Sequence, residues 1–448
     1  MGSESLLNLS RLQFAMTALF HVTLPTLTVG TSLFVAFLYA AWLRTRNPAW
    51  LALFRFWRRI FAVTFGLGVV TGIVLTFELG LNWGRYAHDV GPVVGPLLGM
   101  EVVSAFCLEA AFFGVMVYGE NRVSERVMMF SVAMVSLGTL SSTTWIIMAN
   151  TWMQAPTGYR RMSNGQFRVS DWGEVILNPL FGWRVTHMFL GALLGASLLV
   201  AGIGASYLRR GVHRDAGARM VSMAVATLLL VLPVQIAVGD TLGGRLLPYQ
   251  PAKLLATEGH WQATSQYNLF IVPDEKAHKN TVQVSVPFIT PLVIGKDWSM
   301  KFKEPPVTTI PAADRPALLW PFYGFRIMFF IAWGLLATAL VGVVLRLRGR
   351  LYVSRRFLRL LTWLTPFGVF AVWGGWVTAE GGRQPWVVYN QLRTADAVSS
   401  LATWSVAVSI AVLAVVYATL ATVWIRTVRR YIHEGPPRPE PVRAEASS

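Results

Sequence analysis

Charge is scarce in this sequence, and cysteine is almost absent. Asp, Glu, Lys and Arg make up 14% of the 448 residues, where a water-soluble globular domain carries roughly 25%. With 54% of residues hydrophobic and a mean hydropathy of +0.50, the apolar surface exceeds what one core can hide, and the remainder must face lipid. The single cysteine, Cys107, excludes an internal disulfide framework and any all-cysteine iron–sulfur or zinc site. Metal bound here must be held by His, Met or carboxylate. Acidic residues are the scarcer sign, 22 against 39 Lys and Arg, for a net charge of +17. The basic residues alternate between gaps rather than gathering on one soluble face, which argues against nucleic acid as a partner. No internal repeat of solenoid or transporter kind is visible.

What the sequence does have is nine apolar windows long enough to span a bilayer. They fall at about 15–43, 60–80, 93–118, 127–153, 185–207, 219–239, 318–345, 358–380 and 399–425. Arginines cluster in alternate gaps: Arg44 to Arg59, Arg122 and Arg126, Arg209 to Arg219, Arg346 to Arg359, and Arg426 to Arg430. The positive-inside rule puts these gaps in the cytoplasm, with the N-terminus outside and the C-terminus inside, as an odd number of spans requires. The expected architecture is an all-α integral membrane protein. Residues 1–240 carry helices one to six, 241–317 a long extracytoplasmic loop, 318–430 helices seven to nine, and 431–448 a disordered tail, Pro-rich from Pro436. Within the loop, 281–284 and 288–293 read as short strands. The first window lacks the basic region and cleavage site of a signal peptide.

Ionisable side chains in hydrocarbon cost about 2.5–3.5 kcal/mol each even on a lenient scale, so the few present carry the information. Of seven histidines, only His21 and His187 fall well within spans. A lone membrane histidine is as often a hydrogen bond between helices as a ligand, but haem iron accepts imidazole and thioether. Glu101 and Glu109 share one span with no basic residue, and helical geometry sets them two turns plus roughly 80° apart. Ser141 to Thr144 on the next span offer hydroxyls beside them. Fifteen methionines make a lone Met core by default. Met328 stands out because Arg326 lies two residues before it at a membrane face. Glu380 closes span eight in TAEGGRQPW, ahead of a Gly-Gly stop, Arg383 and Pro385.

SRLQFAMTALFH (10–21), NW (82–83), MEVVSAFCLE (100–109), ANTWMQAPTG (149–158), NP (178–179), QPAKLLATEGHW (250–261), FRIM (325–328) and GRQPW (382–386) follow one another in order. Together they resemble subunit I of the cytochrome bd oxidase family over nearly the whole chain, GRQPW and KLLATE being the most specific. The resemblance implies a quinol:oxygen oxidoreductase of a prokaryotic cell membrane. It implies a low-spin haem b between His187 and Met328, and a di-haem pair of high-spin haem b and haem d served by His21 and Glu380. Which of those two holds the oxygen-reducing haem stays open. Glu101 matches a residue at or beside that centre, Glu109 a proton-path carboxylate, and Arg326 and Arg383 basic residues near haem propionates. Lys253 and Glu258 match a quinol-binding pair.

The implied partners are subunit II in a heterodimer, with or without a small single-span subunit, besides quinol, dioxygen and lipid. Pro92 stands where the family usually has Asp, Ala110 where Ser is common, and the loop lacks the insertion of long-loop members. Haem-b-only relatives share these ligands, so a further haem b in place of haem d stays open. A polytopic transporter with buried His and Glu is the reading from another class.

Overall fold

The computed structural model describes residues 2–438. Among them, nine helical segments are long and apolar enough to cross a membrane: Glu4–Thr45, Pro48–Leu81, Gly84–Tyr118, Glu125–Gln154, Trp172–Arg210, Arg214–Tyr249, Leu319–Leu347, Arg355–Gly381 and Thr403–Glu434. These are spans one to nine. Local chemistry sets several of their ends. Asn47 caps span two by accepting from the Ala49 amide, with Pro48 at the first helical position. Ser124 caps span four through the Val127 amide. Gly211 closes span five in the left-handed conformation at φ 73°.

Span one is the central post. It packs against spans two, four, five, eight and nine, so its polar face looks into protein rather than lipid. Two apolar clusters close the bundle at opposite ends. At the arginine-rich end, Phe54, Trp57, Phe61, Tyr207 and Met220 are fully buried. At the end bearing the long connection, Trp83, Tyr86, Trp152, Phe167 and Val388 are buried together.

Three expectations need correction. Span six runs ten residues beyond its apolar window, to Tyr249, because helical hydrogen bonding continues where hydrophobicity stops; the connection therefore begins at about 250 rather than 241. The strand expected at 281–284 exists within Lys279–Val286, paired antiparallel with Tyr267–Asp274, but 288–293 is not a strand: Ile289–Val293 is a helical turn. The tail expected to be disordered from 431 is helical through Glu434, and residues 439–448 lie outside those described. The connection also holds a short helix, Pro251–Glu258, stopped by Gly259 at φ 68°.

Candidate haem and quinol sites

Glu380 sits at the last turn of span eight inside a ring of polar side chains. Asn150 and Gln154, one turn apart on span four, each donate to its Oε1 at 3.0 Å, and Arg383 donates to Oε2. Arg184 of span five donates to Asn150 Oδ1 at 2.8 Å, and the Lys253 ammonium donates to Gln154 Oε1. Three cations thus crowd one carboxylate. Burial, with the Arg184 and Arg383 charges, holds the Lys253 ammonium well below its ordinary range. Nε and Nη1 of Arg383 are buried and bond to nothing among the described residues. Buried donors left unmatched are costly. The ring is built to receive an anion.

His187 projects from span five toward span six, its Nε2 3.4 Å from the Gln235 amide nitrogen and its Nδ1 without a hydrogen-bond partner among the described residues. Met328 of span seven faces span eight. His21 of span one shares a 2.9 Å hydrogen bond between its Nδ1 and the Thr71 hydroxyl of span two. Each of these three side chains is faced by a glycine of a neighbouring helix. A Cβ on Gly239 would stand 3.0 Å from His187 Cε1, on Gly72 3.2 Å from His21 Cε1, and on Gly375 3.3 Å from Met328 Sδ. Narrow helix surfaces beside imidazole and thioether donors suit a flat macrocycle, and a cationic ring with free donors suits its propionates. The residues present fit haem.

Glu101 and Glu109 both address span four. Ser142 donates to Glu101 Oε1 at 2.8 Å, and Gly138, one turn away, makes room for Glu109; a Cβ there would overlap the glutamate stem. The 80° lag expected for a regular helix is taken up by a wide turn, for Val102–Phe106 is a π-helical segment whose i→i+5 bonds wind less per residue. The two carboxylates therefore share one face at different depths.

Two expected pairings are not present. Arg326 and Met328 lie two residues apart in sequence, but two residues turn a helix through about 200°, so Arg326 points away from the thioether and into the connection. There it donates to Glu258 Oε2 at 3.0 Å, to the Asn268 carbonyl at 2.6 and 2.9 Å and to the Thr257 carbonyl at 3.1 Å. Lys253 and Glu258 do not form a pair either. They occupy one short helix, but Lys253 reaches into the Glu380 ring while Glu258 is held by Arg326.

Sequence reasoning passed over Arg184, Asn150 and Gln154 in the ring, and Glu78, 3% exposed in span two beside Thr17 and Tyr417. Arg184 and Glu78 carried a legible signal, since each is a lone charge at the edge of an apolar window. Asn150 and Gln154 lie in the ANTWMQAPTG segment, but nothing in their side chains singled them out.

The family described as cytochrome bd terminal oxidase subunit I matches residues 9–436. The chain is 31% identical over 441 residues to the cytochrome bd ubiquinol oxidase subunit 1 of Bacillus subtilis (strain 168), covering 95% of this chain and 93% of that one. It is 26% identical to the cytochrome bd-II ubiquinol oxidase subunit 1 of Escherichia coli (strain K12), covering 96% and 97%. The solved bd oxidase from Geobacillus thermodenitrificans superposes with a TM-score of 0.90 at 26% identity, over 97% of this chain and all of that one. Nine spans among the described residues, the His, Met and Glu side chains within them and these likenesses agree: the chain belongs to the cytochrome bd terminal oxidase subunit I family.

Proposed function

We propose that this chain is the haem-carrying subunit of a quinol:oxygen oxidoreductase of the prokaryotic plasma membrane, its N-terminus and long connection outside and its arginine-rich gaps inside. The observation that carries this reading is the surplus of basic side chains around Glu380, with two Arg383 nitrogens buried and unmatched among the described residues, which fits an anionic cofactor. When bound, haem supplies one-electron redox chemistry and an open iron position at which dioxygen is reduced to water. His187 and Met328 would hold the low-spin haem b. His21 and Glu380 would serve the di-haem pair of high-spin haem b and haem d, or a further haem b, with Glu101 beside it.

Arg383, Arg184 and Lys253 would bind propionates. That moves Lys253 from the quinol side, where the resemblance put it, to the haem side, because its ammonium is buried in the Glu380 ring. Glu258, steered by Arg326, would take the proton of quinol at the outer face. Glu109 and Glu101, aligned along span four, would bring protons from the inner side. Release outside and uptake inside separate charge without a pump. A second large subunit would complete the complex, with or without a small single-span one.

Glu258→Ala tests the quinol side. Quinol-driven oxygen uptake should disappear while the haem absorption spectrum stays as in the wild type. Undiminished turnover in that variant would remove Glu258 from the reaction.

A further inference from the structure

Oxidising a quinol frees two protons with its two electrons, and Glu258 can hold one at a time. Beside it lie buried groups that the proposed reaction leaves without a task. Glu304 is 1% exposed and His260 3% exposed, and neither Glu304 oxygen nor His260 Nε2 has a hydrogen-bond partner among the described residues. Ligand atoms of Glu258, His260 and Glu304 all lie within 4.8 Å of one another. The backbone holds them there: Glu304 and Thr264 exchange amide hydrogen bonds of 2.9 and 3.3 Å, and the Val307 amide donates to the His260 carbonyl at 2.8 Å. Water is one residue away, since Lys303 and Pro305 on either side of Glu304 are exposed.

A divalent cation or a proton relay would each suit such a cluster, and Asn268 decides between them. Its amide nitrogen donates to the Glu258 and Gly259 carbonyls at 3.1 and 3.3 Å, and its Oδ1 accepts from Ser285 at 2.8 Å, which fixes the orientation of the amide. The same nitrogen lies 3.1 Å from His260 Nδ1. Nδ1 is then the acceptor, and the neutral ring carries its hydrogen on Nε2, facing Glu304 at 3.6 Å. A histidine bound to metal through Nε2 needs that hydrogen on Nδ1 instead. The Arg326 guanidinium, 3.0 Å from Glu258, opposes a cation as well.

We propose that Glu304, oriented by His260, is the group through which quinol-derived protons leave Glu258 for the aqueous face; this rests on the quinol reading of Glu258. The two quinol O–H bonds break in turn, each proton joining a Glu258 oxygen as one electron passes to ferric haem as oxidant. Neutral Glu258 leaves Arg326 buried without its counter-charge, which drives the proton onward. Glu304 accepts it on one carboxyl oxygen and gives up the proton already held on the other to water, so Glu304 is regenerated. Burial and the Glu258 charge raise Glu304 well above the usual carboxylate range, which favours its protonated form, and burial lowers His260 to about 4, which favours the neutral ring. The titratable and charged groups facing Glu304 are Glu258, His260, Tyr267 and Arg326.

The test uses the purified holoenzyme and compares Glu304→Gln, Glu304→Asp, His260→Asn and Glu258→Gln. kcat and KM for a short-chain quinol are read across pH, relative to oxygen uptake driven by a one-electron mediator that delivers no proton. In Glu304→Gln the quinol-to-mediator ratio of kcat should fall ~10-fold or more with KM held and the pH profile altered, and Asp should restore most of it. His260→Asn should lower the ratio by a smaller factor. A carboxylic-acid C=O infrared band of the wild type should be missing from Glu304→Gln. An unchanged ratio and pH profile in both Glu304→Gln and His260→Asn overturns the relay, as does a stoichiometric non-haem metal that vanishes in Glu304→Gln. Full quinol turnover in Glu258→Gln overturns the quinol reading itself; an inactive Glu258→Gln beside fully active Glu304→Gln overturns the relay alone.

Discussion

Four carboxylates of the proposed haem, quinol and proton sites divide into two kinds by their partners. Glu380 and Glu258 each lie against a guanidinium, Arg383 and Arg326 respectively. Glu101 and Glu109 have no salt bridge among the described residues; their neighbours are the hydroxyl of Ser142 and the bare backbone of Gly138. A carboxylate matched by a cation is a fixed charge that orients what it touches. One set in lipid with only hydroxyls for company is suited to carrying protons. The same side chain is therefore suited to attachment at one end of the bundle and to proton transport along span three, and the difference lies in the cations supplied by other helices.

The sharpest way to break this distinction is Glu380→Gln. Removing the single carboxylate leaves Arg184, Lys253 and Arg383 crowded without a counter-charge, and leaving a largely buried cation unmatched is destabilising. The variant should lose haem and melt at a lower temperature than the wild type, read by pyridine haemochrome and thermal denaturation. Wild-type haem content would place Glu380 with the unmatched group. Glu109→Gln should do the opposite. Haem content should stay intact while oxygen turnover falls ~100-fold, the range for a lost proton-transfer group; loss of haem together with turnover would make Glu109 structural.

The smallest effect concerns the connection. His260 is charged below 6.5 when exposed but only below about 4 when folded, because burial opposes its charge. The opened connection then binds more protons between those values, and folded stability falls as pH drops from 6.5 to about 4. Thermal denaturation against pH should show this acid limb in the wild type and a flatter one in His260→Asn.

Much of this was legible in the sequence, for a reason tied to solvent. Lipid tolerates few polar groups, so His21, His187, Glu101, Glu109 and the nine windows announced themselves against an apolar background. That contrast vanishes in the 250–317 connection, where Glu304 and His260 are polar residues among many and meet only through folding. Direction was also hidden. Arg326 and Met328 are neighbours in the chain, yet the helix turns one toward Glu258 and the other toward Gly375. Lys253 and Glu258 share a helix, yet serve different clusters. Proximity in sequence predicted proximity of function in both cases, and rotation about the helix axis separated them.

The most direct test is the haem content of the purified complex. Pyridine haemochrome should give three haem equivalents per copy of this chain, counting any red-shifted haem d band, and Met328→Leu should lose the low-spin absorption while keeping the rest. A colourless protein after expression with ample haem, or a Met328→Leu spectrum identical to wild type, would contradict the assignment of these buried side chains to haem.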